Sequence, residues 1–250
     1  MTTKQKRILF GAVAVILWLA LWEILSHVVG VYFIFPSFTQ TVSAFCRLCI
    51  TGNFYFTVIL SLLRIALGFV IGTFSGIALG ALSHLSIAAY SLIHPVISVI
   101  RSTPVASIII ILWFFISKDL IPIVIGLFMV SPIIWQATYD SLHVKNRELT
   151  ELADVFGLKG KKRIKILILP TFTKYLLPAV VTSSALAWKS GIAAEIITYT
   201  KNSIGYEISN AKNILEGADM FAWTITVILL SAAIELLIKL TVRRMQAKWV

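Results

Sequence analysis

The chain has 250 residues, 58% of them hydrophobic and only 13% charged, with a mean hydropathy of +0.92. An average soluble domain carries about a quarter charged residues, so the composition excludes a soluble enzyme and predicts one transmembrane domain over residues 1–250. The formal net charge is +11, yet eight of the 22 Lys and Arg fall between Asp140 and Lys174, three in the first seven residues and four in the last twelve. Clusters placed between and beyond spans follow the positive-inside rule, and the charge needs no nucleic acid to explain it.

In chain order, Met1 to Arg7 and the apolar run from Ile8 have the look of a signal-peptide start. No small-x-small cleavage site follows, because Trp22-Glu23-Ile24 and more apolar sequence come next, so an uncleaved first span over Ile8–Val29 is predicted. Ser37 to Thr51 reads as an amphipathic helix with Cys46 and Cys49 on neighbouring turns. Two thiols do not complete a four-ligand zinc site and no histidine lies close in sequence, so no metal site is predicted; the thiols read as small apolar fillers, with a redox role as the other reading. The second span, Phe56–Leu82, contains Gly68, Gly72, Gly76 and Gly80, one every fourth residue. That spacing sets all the glycines on one helix face, where a second backbone can approach closely.

The third apolar segment, Ile87–Ile116, would be about 45 Å long as one ideal helix, longer than the hydrocarbon core. Pro104 removes a backbone donor and disfavours helical geometry at Thr103, so a break is predicted within Arg101–Pro104. Broken helices at membrane depth persist only against protein or a water-filled cavity, which makes Arg101, Ser102 and Thr103 candidates for a translocation path. The remaining spans are predicted over Leu120–Tyr139, with a second kink at Ser131-Pro132, Tyr175–Thr198 and Phe221–Val242. Six crossings place all three basic clusters on one side, the cytoplasmic one, together with both termini.

Charges inside apolar stretches cost about 2.5 to 3.5 kcal/mol each at the centre of an isolated spanning helix. Glu23, Arg64, Arg101, Lys189 and Glu195 carry that cost. Arg64 calls for an ion-pair partner, with Glu23 one candidate, or for a path to the headgroups. Lys189 and Glu195, six residues apart, lie far from each other around a helix and form no simple pair, so each becomes a separate candidate for the translocation path.

The loop over about residues 140–174 carries charge that could not survive in lipid. Leu149, Leu152, Ala153 and Phe156 follow helical spacing, with Glu148, Glu151 and Asp154 toward the polar side; Asn146 caps the start and Gly157 the end. A short amphipathic cytoplasmic helix results. It could lie on the bilayer beside Lys159, Lys161, Lys162 and Arg163, but its three carboxylates would be repelled by an anionic leaflet, and insertion in a partner's groove fits better. "KGKKRIKILILP" then returns to the membrane, with Pro170 closing the segment.

Here the chain resembles a family. Glu151, Ala153, Gly157, Leu169 and Pro170 match E-A-A-x3-G-x9-I-x-L-P, the signature of permease subunits of bacterial ABC importers, with Leu152 replacing the second motif residue and Leu167 the Ile. "FPSFTQTVSAF", "SLLRIALGFVIGTFSGIALG", "IRSTPVASIIIILWFF" and "LAWKSGIAAEII" resemble stretches of the nitrate, sulfonate, taurine and bicarbonate permeases. The resemblance implies an all-α, six-span domain like that of a type I importer permease, in the inner membrane of a bacterium. It implies that Glu148, Leu149, Glu151, Leu152, Ala153, Phe156 and Gly157 form a coupling helix seated on an ABC ATP-binding subunit. Two such subunits would carry ATP and Mg, facing two permeases, the second taken as an identical copy, with an extracytoplasmic solute-binding protein delivering a small anion.

This chain has no G-x-x-x-x-G-K-[ST] loop, so no nucleotide cofactor is expected on it and no catalytic residue is assigned. Its four histidines are scattered and no H-E-x-x-H or G-x-S-x-G occurs, which argues against a membrane enzyme. Two other readings stay open: an ion-coupled transporter or channel working without ATP, and the same importer type carrying a neutral vitamin precursor.

Overall fold

A backbone in lipid must satisfy its own hydrogen bonds, and a run of apolar residues long enough to cross does so as a helix. The computed structural model of the chain describes residues 3–143, 155–156 and 160–246, and every regular element among them is helical. In order these are α1 (Thr3–Val29), α2 (Phe38–Ile50), α3 (Gly52–Leu85), α4 (Ile87–Ser102), α5 (Val105–Trp113), α6 (Ile121–His143) and α7 (Gly160–Arg163). A π-helical segment, Ile164–Ile168, then leads into α8 (Leu169–Thr198), followed by α9 (Ile204–Asn213) and α10 (Gly217–Gln246).

Among the described residues five helices are long and apolar enough to cross a bilayer, and α4 with α5 forms a sixth, broken candidate bent by 100°. Packing shows that this pair carries the chain across. Gly68 lies against Ile123, Gly72 against Leu127, Gly76 against Ser131 and Gly80 against Trp135, so α3 and α6 ascend together and run parallel. Two parallel neighbours joined through α4 and α5 require the chain to return across the membrane between them. Tyr90 and His94 on α4 stack near Tyr139 and Trp135 on α6, as an antiparallel return demands.

The other directions follow in the same way. α8 is antiparallel to α3, with Gly191 against Ile65 and Glu195 beside Ser61. α10 is parallel to α3, with Trp223 stacked on Phe54, while Trp22 near the end of α1 meets Phe221 at the start of α10. Six alternating crossings result, and Thr3, the end of α6 at His143 and Gln246 share one side of the bundle.

The core is built by α3, α6 and α8. Val130, Ile134, Trp188 and Ile192 are buried between them with Ile65, and a smaller cluster of Ile109, Ile121, Ile125 and Ala194 seats α5 on α6 and α8. The four glycines make this closeness possible. A Cβ at Gly68 would stand 2.5 Å from the carbonyl oxygen of Ile123, and one at Gly76 would stand 2.8 Å from that of Ser131. α1 contributes little to this core: Phe10, Leu17 and Trp18 are exposed along it.

Local details depart from the sequence reading at several points. α6 passes through Pro132 as one continuous helix, with Ser131 and Pro132 both buried. Pro170 does not close the returning segment: it lies in the first turn of α8, directly after the π-helical Ile164–Ile168, within one continuous helical run. Cys49 is half-buried but Cys46 is exposed, so only one of the two thiols acts as filler, and both are free. Ser37 caps α2 through a reciprocal capping box with Gln40, a signal readable in "SFTQ".

Arg64 pairs with Asp119 at 2.6 Å, not with Glu23. Its guanidinium also donates to the carbonyls of Asn202 (3.2 Å) and Lys201 (3.5 Å), tying α3 to the two loops at the ends of α5 and α8. Glu23 is committed elsewhere, accepting from the N–H and hydroxyl of Thr39 at 3.2 and 3.0 Å at the start of α2. Arg64→Ala is expected to destabilise the purified protein by about 1 to 3 kcal/mol, the scale of hydrogen bonds made by charged groups, and Arg64→Lys by less. A thermal unfolding curve unchanged by Arg64→Ala would refute this.

Candidate functional site

The break in the third span sits at Thr103, whose backbone is extended (φ −80°, ψ 130°). Pro104 follows and opens α5, with the N–H groups of Ser107 and Ile108 bonded to its carbonyl at 3.0 and 3.3 Å. On the other side of the break, the carbonyl of Val99 accepts from the Thr103 N–H (3.0 Å), the Thr103 hydroxyl (2.7 Å) and the Ser102 hydroxyl (3.1 Å). Backbone groups released by the proline are therefore stitched locally by side chains, as a broken helix at membrane depth requires.

Arg101 lies in the last turn of α4, favoured there by the helix dipole, and is exposed. It stands about 10 Å beyond His94, taking 1.5 Å per residue, which carries it past the level of Trp135 toward the start of α6. Lys189 is exposed on α8 between the buried Trp188 and Ser190. Neither side chain makes a hydrogen bond or ion pair among the described residues, and none joins the two to each other. The field of Lys189 reaches Glu235 on α10, which is itself paired with Lys239.

Glu195, the third charged candidate, has a different place. It is 0% exposed, enclosed by α3, α8 and α9, and presents no atom to an open face. One carboxylate oxygen accepts from the Ser61 hydroxyl at 2.9 Å and from the Gly205 N–H at 3.2 Å, and Ser61 in turn accepts from the Ile204 N–H at 2.9 Å. The start of α9 thus points at a buried carboxylate, an arrangement favoured by the helix dipole. A Cβ at Gly205 would come within 2.4 Å of the Cβ of Glu195, so glycine is needed for the approach. Glu207, one turn further along α9, is half-buried, and burial raises its carboxyl above the ordinary carboxylate range. Ser61, Asp119 and Gly205 carry no periodicity or motif that would mark them in the sequence; their importance arises from long-range packing.

At the opposite end of the bundle a column of rings joins α3, α4 and α6. Tyr90, Trp135 and Tyr139 stack, Tyr139 stacks on His143 at 4.6 Å, and His84 meets His143 edge-on at 5.6 Å. The indole of Trp135 donates to Ser83 at 2.9 Å. This column ends where the chain enters the segment read as a coupling helix. Glu148, Leu149, Glu151, Leu152, Ala153 and Gly157 lie outside the described residues. Phe156 is described and is 74% exposed, with Val155 beside it at 81%.

The comparisons with known proteins agree with this architecture. The family described as "Binding-protein-dependent transport system inner membrane component" matches residues 68–247. The chain is 25% identical over 238 residues to a putative aliphatic sulfonates transport permease of Bacillus subtilis (strain 168), covering 92% of this chain and 84% of that one. It is 28% identical over 200 residues to a putative aliphatic sulfonates transport permease of Escherichia coli (strain K12), covering 79% and 75%. A probable ABC transporter permease of Brucella melitensis biotype 1 is 25% identical over 227 residues, 90% of each chain. With the match running from the glycine face of α3 to the end of α10, the chain belongs to the family of binding-protein-dependent inner-membrane transport components, as a multi-pass permease subunit of an ABC importer.

Proposed function

We propose that this permease lines the translocation path for a small anion, of the sulfonate, nitrate or taurine type, in an importer powered by ATP on a separate subunit. The observation that carries the reading is the pair of exposed cations, Arg101 at the helix break and Lys189 on α8, each within an apolar stretch and neither in an ion pair among the described residues. An intramembrane charge left facing lipid is costly, so both belong against an aqueous lumen or a second permease copy. Paired in that way across a shared path, they favour negatively charged solute. Relatives named for aliphatic sulfonates support the same class.

In this reading two permeases, taken as identical, face two ATP-binding subunits that carry ATP and Mg. The segment 146–157 docks on those subunits, which sets the basic loop and both termini on the cytoplasmic side, and an extracytoplasmic binding protein delivers solute at the other. Serine and threonine at the break, Ser102 and Thr103, hold the geometry that keeps Arg101 at the path.

The test is uptake by the reconstituted importer. Lys189→Gln and Arg101→Gln are each expected to lower ATP-driven uptake of a labelled aliphatic sulfonate about tenfold or more, the loss of one charge-assisted contact of about 1.5 to 3 kcal/mol. Lys189→Glu should lower it further, with ATP-binding subunits still co-purifying. Sulfonate uptake unchanged by both neutral variants would remove the two cations from the path, absence of sulfonate uptake beside uptake of a neutral heterocycle would point to a neutral solute, and uptake that proceeds without ATP down an ion gradient would point to an ion-coupled carrier.

A further inference from the structure

The three non-glycine residues with positive φ among the described residues are Tyr199 (52°), Asn202 (53°) and Leu215 (59°), and all three flank α9. Asparagine tolerates left-handed backbone, but at Tyr199 and Leu215 it is strained and persists only where the surroundings hold it. Strain at both ends of one short helix, and at no other non-glycine position among the described residues, marks the two connections as hinge points of that helix.

Ile204 and Ile208 seat α9 in the main core, and the polar contacts that hold it are concentrated at its first turn. The Ile204 N–H, the Ser61 hydroxyl and the Glu195 carboxylate form a relay, and the Gly205 N–H reaches the same carboxylate oxygen. Ser209 adds a bond to the carbonyl of Ile196 at 3.2 Å, and Arg64 reaches the Asn202 carbonyl on the first hinge. The second oxygen of Glu195 is buried with no partner among the described residues. A buried carboxylate satisfied on one side only is an incomplete clamp, stable while the helix is seated and gaining solvation when it leaves. The clamp is also linked to the broken span, because Ala194, adjacent to Glu195, packs against Ile109 of α5, and Thr200 on the first hinge donates to the Lys118 carbonyl at 3.2 Å.

We propose that α9 is a latch at the end of the bundle opposite the basic loop: seated by the Ser61–Glu195 relay, it swings as a unit about residues 199–202 and 214–215 when the path opens on that side. Ser61 and Glu195 are its positioning residues. The trigger rests on the importer reading above; the latch itself does not.

The experiment uses the assembled importer with Cys46 and Cys49 replaced by serine and a single reporter, Ala211→Cys, which is 3% exposed on α9. A membrane-impermeant maleimide is expected to label the reporter slowly at rest, about fivefold or more faster after Ser61→Ala, and slowly again with Ser61→Thr, which restores the hydroxyl. ATP with solute-loaded binding protein should accelerate labelling of the unmutated relay to a similar degree. Equal labelling with and without Ser61→Ala overturns the latch. So does a parallel rise at a control reporter, Ser190→Cys in α8, which would signal general loosening. Acceleration by Ser61→Ala with no response to ATP would count against the ATP-driven reading and leave the latch in place.

Discussion

Phe156→Asp is expected to abolish ATP-driven uptake while leaving the six-span bundle folded. The phenylalanine is 74% exposed beside an exposed Val155, in a segment rich in charge, and the proposed docking would cover both side chains. Anchoring side chains in a helix-in-groove interface typically carry about 2 to 4 kcal/mol, so a carboxylate there should weaken docking of the ATP-binding subunit roughly 30- to 1,000-fold. Leu152→Asp, four residues before it in the chain, should act in the same way. Co-purification of the ATP-binding subunit is the direct measurement, with thermal unfolding of the isolated permease as the control. Undiminished co-purification with normal uptake would end the docking assignment, whatever happens to the path residues.

The second large effect is expected at the α3–α6 seam. Gly76→Leu should leave little folded permease, because a Cβ there already meets the Cβ of Ile134 at 2.7 Å and the Ser131 carbonyl oxygen at 2.8 Å. Backbone cannot yield as a flexible side chain can, so the helices must part over several turns. Gly76→Ala should cost about 1 to 3 kcal/mol, the usual scale of overpacking, and leucine more. Gly11→Ala is the contrast: nothing lies within 4 Å of a Cβ there, and alanine exceeds glycine in helix propensity by about 1 kcal/mol, so the isolated protein should be unharmed. Yields of monodisperse protein in detergent, followed by thermal unfolding, separate the two. Equal behaviour of Gly76→Leu and Gly11→Ala would refute the close-packed seam.

Much of the bundle was legible because its determinants are local. Apolar length marks a span, Pro104 marks a break, and glycine at every fourth residue marks a face. The break falls inside the predicted window, and five of six spans lie within a few residues of their expected limits, α8 instead starting six residues early with Pro170 in its first turn. Arg64 shows the limit of such reasoning. A lone arginine in an apolar run announces that it needs a partner, but nothing in its neighbourhood names Asp119, 55 residues away, over Glu23.

Glu195 shows it again. Its sequence context, six residues from Lys189, separates the two around the helix without saying which of them faces outward.

By itself, the amino-acid sequence determined that this chain crosses the membrane as helices and where one of them breaks. Tertiary structure alone decided that α3 and α6 run parallel, that Arg64 binds Asp119, and that Glu195 is enclosed beneath α9 while Arg101 and Lys189 stay open. The division has a physical cause. Transfer into lipid and backbone satisfaction act residue by residue along the chain, whereas the choice among apolar faces that lipid treats alike is made only by close fit and by the few buried polar groups that must find one another.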